Sequence, residues 1–519
     1  PALGGLERRL RLSKLVLKWA ERLAPEQPGE APLVANNPAW ALALADDLAR
    51  LMDDMTTRRV AWERLDGLVP EALDRYWQLT LEFLQIAREA WPKILSERRA
   101  MEPAARRDAL IKAEAARLST HADGPVIAAG STASMPATAE LIATIAKLDR
   151  GAVVLPGLDL SLDAESWGLI DGRQDAAVRV SHAVEHPQFA MQALLRRIGI
   201  TREQVVLLGS SAEHGRERYV SEALRPAAAT DRWQQLGDCD APWIERALET
   251  LAVVEAANAE EEALAIAISL REAVETPHKT AALVTPDRAL ARRVLAALER
   301  WKVAVDDSGG DALADTPAGL FARLAAEVAL GALAPVSLLA VLKHPLTRLG
   351  APAGAHAGTI AALEKAVLRG PRPRPGTVGL THALAVFHAE LAKLRRRETS
   401  DLHPSDPRAN LSEAELRAAA ALVDRLRAAL APLEGLACAP CAPFAKVAAL
   451  HRDVITALSA DETGAPAAFH GNDGVALERA FEEIALYASN AEFAVEAKDY
   501  ADLFRTVISD RMVRRPGLP

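Results

Sequence analysis

The chain has 519 residues, half of them hydrophobic and a quarter charged, with 61 basic against 70 acidic side chains and a net charge of −9. That length calls for two to four domains, and the acidic balance excludes a generally basic nucleic-acid coat while leaving room for a local basic groove. No run reaches the roughly 18 apolar residues that span a bilayer, no signal peptide is visible, and three cysteines make no disulfide framework, so a cytoplasmic protein is expected.

Residues 1–118 read as helices throughout. Leu6, Leu10, Leu12, Leu15, Val16, Leu17 and Trp19 form an apolar stripe bordered by Arg8, Arg9, Arg11, Lys14 and Lys18. Asn36-Asn37-Pro38 interrupts the pattern, which resumes over 39–55 and again from about 70 to 96 with Leu73, Trp77 and Trp91. Core packing explains the two tryptophans before base stacking does.

Between about 120 and 250 the pattern turns α/β. An apolar run at 125–129 is followed by Gly130-Ser131-Thr132, a helix to about residue 148, and a second apolar run at 152–155. This is a βαβ unit, and its first turn lies where nucleotide-binding folds place phosphates. The turn holds no lysine, and no G-x-x-x-x-G-K-[ST] occurs anywhere, so a motor-type fold without motor chemistry is expected. Phe189–Ile198 reads as a helix and 204–209 as a buried strand.

A second α/β stretch covers 251–330, with strands expected at 253–256, 280–284 and 303–305. Asn258 is placed to cap a helix that opens on Glu260-Glu261-Glu262, where acids suit the helix dipole. Helices return from 335 to 510, broken by loops at 369–376 and 401–408, and Ser412-Glu413-Ala414-Glu415 forms a capping box. The chain opens at Pro1 directly before a strong helix and stops at Pro519 without winding down, so it reads as the middle piece of a longer protein.

Several local strings accompany this helical, α/β, α/β, helical order. They are Leu6-Glu7-Arg8-Arg9-Leu10-Arg11-Leu12-Ser13-Lys14-Leu15, Gly130-Ser131-Thr132 with Pro136-Ala137-Thr138, and Val154-Leu155-Pro156-Gly157-Leu158-Asp159. Further on come His186-Pro187-Gln188, Glu261-Glu262-Ala263, Ala282-Leu283-Val284-Thr285-Pro286-Asp287-Arg288, Asp306-Asp307-Ser308 and Arg514-Arg515-Pro516-Gly517. Together they resemble the alphaproteobacterial form of the AddB family, subunits of the AddAB double-strand-break repair helicase–nuclease.

The resemblance implies a fold class and an architecture. The expected fold is α/β with large all-α insertions: two RecA-like, superfamily 1 helicase-like parallel-sheet domains, both incomplete here. Residues 1–118 would be the helical insertion of the first domain and 119–250 its returning sheet. Residues 251–330 would start the second domain, and 331–519 would be its helical insertion with the start of the return to the sheet. The resemblance further implies an AddA-type partner, DNA with double-strand ends as substrate, and possible recognition of a recombination hotspot sequence. ATP and Mg²⁺ would act mainly on AddA, and the nuclease, with an iron–sulfur cluster in many members, would lie beyond residue 519. No cofactor is expected in residues 1–519 themselves. Two alternatives stand beside this reading: a divergent active helicase whose Walker lysine lies upstream, and an assembly scaffold for AddA with little DNA contact.

Candidate sites follow, each with a plainer explanation. Gly130, Ser131 and Thr132 could offer backbone N–H groups to a phosphate or DNA, or form a tight turn with Ser134 capping and Pro136 in the first helical turn. Asp287 and Arg288 occupy a region where active relatives place an arginine against the γ-phosphate; a solvated helix face or a DNA contact is the alternative. Arg8, Arg9, Arg11, Lys14, Lys18, Arg369, Arg372 and Arg374 are the DNA-phosphate candidates, weighed against an exposed charged face. Glu496-Ala497-Lys498 imitates half of a nuclease motif but falls in an expected helix spanning 491–508. Cys438 and Cys441 form a lone C-x-x-C with only Cys239 besides, and the His182/His186 and His382/His388 pairs lack a completing acid, so no metal site is expected.

Overall fold

The computed structural model describes residues 2–23, 36–65, 75–174, 179–209, 215–235, 242–437 and 441–514. Cys239, Cys438, the expected helix start near residue 70 with Leu73, and the terminal 515–519 lie outside the described residues. The chain is mostly helical with a few short strands, compatible with an α/β fold carrying large all-α regions.

Helices α1 (Gly5–Arg22) and α2 (Pro38–Arg58) open the chain. Asn37 caps α2: its side-chain oxygen accepts the Ala39 and Trp40 N–H groups, and Pro38 takes the first helical position, where no N–H is needed. Leu12, Val16, Ala45, Leu48 and Met52 from these helices close a small core with Trp91, the first residue of α4 (Trp91–Arg98). Helix α3 (Arg75–Gln85) leads into α4, and α5 (Pro103–Thr120) follows it.

The largest core belongs to the C-terminal helices α13 (Pro317–Leu330), α14 (Pro335–Leu342), α15 (Ala357–Leu363), α16 (Gly376–Arg395), α17 (Glu413–Glu434), α18 (Phe444–Ser459), α19 (Gly471–Ala491) and α20 (Ala497–Ile508). Phe321, Phe444, Phe481, Tyr500 and Phe504 cluster at its centre. Leu6, Leu10 and Leu42 enter the same core, so helices from both ends of the chain bury one continuous apolar interior. The expected capping box opens α17: Ser412 Oγ accepts the Glu415 N–H, and the Glu415 carboxylate accepts the Ser412 N–H.

In the middle of the chain, β1 (Val126–Ala129) pairs in parallel with β2 (Gly151–Val154), in register Val126↔Gly151 to Ala129↔Val154. Helices α6 (Pro136–Ile145) and α8 (Phe189–Ile198) cover one face, burying Ala139, Ile142, Ala143 and Leu194 against Ala128 and Val153. The other face is open, and Ile127 is 66% exposed. Gly151 lets the end of α6 sit against β2, since a Cβ there would lie 1.8 Å from the Ile145 carbonyl oxygen. Helices α7 (Ala164–Ile170), α9 (Arg216–Ala223) and α10 (Pro242–Leu248) follow in this stretch. Further on, α11 (Ala259–Glu275) and α12 (Arg288–Arg300) pack as a pair through Ala263, Ala267, Val294 and Leu298.

The structure corrects four expected strands. Residues 204–209, 253–256, 280–284 and 303–305 carry no strand pairing, and Val206, Val253 and Val284 are 79%, 84% and 94% exposed. A strand exists only through its neighbours, and among the described residues these runs meet none. The helix expected over 491–508 is also two elements: α19 ends at Ala491, Ala494–Val495 pairs with Ala442–Pro443, and α20 begins at Ala497.

Candidate functional site

The parallel register sets the turns after β1 and β2 side by side at the carboxyl ends of the strands, the edge where open α/β sheets receive ligands. After β1, Gly130 turns the chain at φ +78°, a left-handed conformation that suits glycine. The Ser131 hydroxyl accepts the Ala133 N–H at 3.2 Å, while Thr132 and Ser134 stay exposed. Ser134 does not cap α6. The capping position falls to Met135, which makes no side-chain bond there, with Pro136 at the first helical position as expected. The turn is built by its own backbone and Ser131.

After β2, residues 156–163 form a loop held by side chains from distant parts of the sequence. One Asp159 carboxylate oxygen accepts the Ser161 and Leu162 N–H groups at 2.8 and 3.0 Å, and the other accepts the Ser221 hydroxyl at 2.7 Å. The Gln188 amide donates to the Gly157 carbonyl at 3.0 Å and accepts the Asp159 N–H at 3.1 Å. Two strings that stand 27 residues or more apart in sequence, Pro156-Gly157-Leu158-Asp159 and His186-Pro187-Gln188, therefore form one structure. Arg202, buried beneath the loop, donates to the Asp159 and Leu162 carbonyls and lies over the Trp167 ring.

Asp163 closes the loop and caps α7 through the Ser166 N–H at 2.9 Å. It also holds Arg225, and Arg232 at 2.9 Å. Partial burial pushes its carboxyl up, but the hydrogen bonds from Ser166 and Arg225 outweigh this and hold it well below the usual carboxylate range. This hub escaped the sequence reading. Nothing local in the sequence marks Arg202 and Ser221 as partners of Asp159, or Arg225 as a partner of Asp163.

Beside the loop lies a groove of about 800 Å³. Val153, Val154 and Leu155 form one wall, residues 205–208 the other, and Asp159, His186, Gln188 and Arg216 line it as well. His186 is engaged on both ring nitrogens, by the Leu224 carbonyl at 2.8 Å and the Gln188 N–H at 3.1 Å. The groove can enclose an apolar body, and the polar groups of the loop beside it are largely satisfied within the fold.

The remaining candidates separate into structural and exposed groups. Asp287 caps α12 by accepting the Ala289 and Leu290 N–H groups. Arg288 forms a two-pronged pair with Asp307 and donates to the Gly310 carbonyl, which joins the Asp287-Arg288 and Asp306-Asp307-Ser308 strings. The hydrogen bonds from Arg288 depress the Asp307 carboxyl.

Arg8 and Arg9 face inward, which corrects the expectation of an exposed phosphate-binding face for these two. Arg8 is buried against Asp53 at 2.9 Å and Glu102 at 2.5 Å. Arg9 grips Asp46 and Asp510, both at 2.7 Å, and donates to the Thr506 and Val507 carbonyls at the end of α20. Burial opposes the charge on Arg9, yet these carboxylates more than offset it and raise its pKa. The physical reason is the apolar stripe of α1: it faces two neighbouring layers, so residues flanking it are buried as well.

Arg11 pairs with Glu7 and the Asn490 carbonyl, Lys14 approaches Glu492, and Lys18 is exposed. Arg369 pairs with Glu364 at 2.8 Å, whereas Arg372 and Arg374 are exposed without an ion pair among the described residues. Glu496 and Lys498 pair with each other at 2.8 Å at the start of α20, not on a strand. Cys441 is exposed, His182 approaches Asp171, and His388 pairs with Glu413. Among the described residues no cluster of three or more metal-ligating side chains occurs, and no helix is long and apolar enough to cross a membrane. No protein-family model matches the chain, and no curated protein matches it.

Proposed function

We propose that this chain is the DNA-binding, helicase-like part of an AddB-type subunit, working beside an AddA-type motor on DNA with double-strand ends. In this reading the two α/β stretches are parts of RecA-like domains reduced to scaffolds, and ATP-driven movement belongs to the partner. The observation that carries it is the state of the arginines at and near the strand ends. Arg202, Arg225 and Arg232 hold the loop after β2, and Arg288 holds Asp307. Arg288, the side chain that a motor would turn on a nucleotide phosphate, serves an internal contact instead. The exposed Arg372 and Arg374 in the 369–376 loop supply the cationic surface for a DNA backbone.

The test is fluorescence anisotropy with end-labelled duplex DNA across a salt series. The expected result is binding that weakens steeply with salt. Replacing Arg372 and Arg374 together by Ala reduces the salt slope by about two, one for each phosphate contact, and weakens binding to all sequences alike. Stability is unchanged within about 0.5 kcal/mol, because both side chains are exposed.

A second reading, the assembly scaffold, has its own support. The consecutive Val206, Leu207 and Leu208 are all exposed and present apolar surface of a kind that marks protein contacts. Weak, salt-insensitive DNA binding would decide for the scaffold.

A further inference from the structure

Helix α2 has 21 residues, which makes it about 30 Å long, and both of its ends are tied down. At its start, the Asn37 amide donates to the Asp499 carboxylate in the first turn of α20 at 3.0 Å. Further along, Asp46 shares Arg9 with Asp510, and Arg9 also donates to the Thr506 and Val507 carbonyls that end α20. Helices α2 and α20 therefore lie side by side, joined near both ends of α20. Beyond that joint, Arg59 at the far end of α2 grips Glu140 of α6 through two bonds, at 2.5 and 2.8 Å. A half-exposed pair contributes little alone, but α5 packs against both α2 and α6, and its Arg107 donates to Thr57 at 2.7 Å.

The other end of α20 leads to the second α/β stretch. Directly after it, residues 512–513 pair with 311–312. The loop just before that pairing offers Asp307 and the Gly310 carbonyl to Arg288, in the first turn of α12, at 3.1 and 2.6 Å. Gly309-Gly310 is where a hinge would be expected, yet the space around both residues is filled. A Cβ on Gly309 would lie 2.5 Å from the Arg288 guanidinium, and one on Gly310 would lie 2.4 Å from the Val513 carbonyl oxygen. Close packing, rather than motion, accounts for these two glycines.

We propose that α2 and α20 form a rigid frame that holds the two α/β stretches at one fixed separation. Domains that close on a ligand pivot at a few loop residues, and here the residues at both joints are braced by side-chain bonds and close contacts. The route from α6 through α2 and α20 to α12 is continuous, built of helices and paired side chains. The Gly130 turn and the Asp287-Arg288 turn therefore keep their distance whatever binds to either. The contacts along this route carry the inference, so it holds whether or not the chain binds DNA.

Pulsed electron spin resonance on the full chain tests the frame, with spin-labelled unnatural amino acids at the exposed positions Lys147, just after α6, and Ala296, on α12. The expected result is one narrow distance population. Adding duplex DNA or Mg²⁺ with ATP is expected to shift its mean by less than about 2 Å. Arg288→Ala opens the second joint and is expected to widen the distribution at least about twofold, with helicity by circular dichroism unchanged. Arg271→Ala removes a pair within α11 and is expected to leave the width as it was. A broad or double population in the unaltered chain overturns the proposal, as does a ligand-driven shift above about 2 Å. An Arg288→Ala distribution as narrow as the unaltered one also overturns it, since the joint would then hold nothing. A chain that binds no DNA fails the function proposed above but leaves the widths to decide the frame.

Discussion

The helical body and the α/β stretch differ in how each satisfies its backbone. In the helices every interior N–H finds its acceptor within the element, so only one apolar stripe needs a neighbour, and the interior around Phe444, Phe481 and Phe504 closes completely. The strand-type runs at 204–209, 253–256 and 280–284 have comparable apolar content but depend on partners beside them. Without those partners they stay unpaired and largely exposed to water. A helical segment can thus be complete in isolation, whereas a strand is complete only as part of a sheet.

The largest test of that contrast is in the helical body. Phe504 is fully buried and stacks near Phe481 and Tyr500. Phe504→Ala is expected to cost about 4 kcal/mol, read as a lower midpoint in urea unfolding. Exchange at Val206 and Val284 should stay as fast as before. If those amides changed together with the body, the two regions would form one cooperative unit and the comparison would fail.

Acid gives a somewhat smaller effect confined to the same body. His451 is fully buried among Phe481, Tyr500 and Phe504, with one ring nitrogen on the Ala322 carbonyl at 2.8 Å and the other on the Tyr500 hydroxyl at 3.0 Å. Burial lowers its pKa from 6.5 to about 4, only partly opposed by the Ala322 bond. The unfolded chain therefore binds the proton first. Stability is full above pH 6.5 and falls as pH drops toward about 4, by about 3 kcal/mol in total. Urea midpoints measured at pH 7 and pH 5, on the wild type and on His451→Gln, should show this component in the first and not in the second.

The smallest effect belongs to the α/β stretch. Val284→Thr removes an apolar group that is 94% exposed, so unfolding should shift by less than about 0.5 kcal/mol. A loss above about 2 kcal/mol would mean that Val284 is buried in solution, and the contrast would need redrawing.

What the sequence reveals follows the same division. The Asn258 cap, the Ser412–Glu415 box and the span Phe189–Ile198 are local signals, and each stands where expected. The βαβ unit is legible for the same reason, since its two strands flank a single helix. Strand pairing at 204–209 or 280–284 depends on what lies alongside, which no local pattern contains. The candidate site divides likewise. The Gly130 turn is visible in sequence, but the joining of Gly157 and Asp159 to Gln188, and of Arg288 to Asp307, is long-range. For Arg8 and Arg9 the charge was legible and the direction was not, because a guanidinium beside an apolar stripe faces solvent or a buried carboxylate depending on the next layer.

Arg9 and Asp510 meet although 501 positions separate them. At a ribosomal pace of roughly 5 to 20 residues per second, α1 and α2 leave the exit tunnel roughly 25 to 100 seconds before α20 does. During that interval Leu6, Leu10 and Leu42 lack the helices that will cover them, and Arg9 has Asp46 as its acidic neighbour. The earlier-made helices thus wait for α20, which makes the nascent chain a client for chaperones that shield apolar helices. Residues 311–312, which pair with 512–513, wait in the same way until that later strand is made.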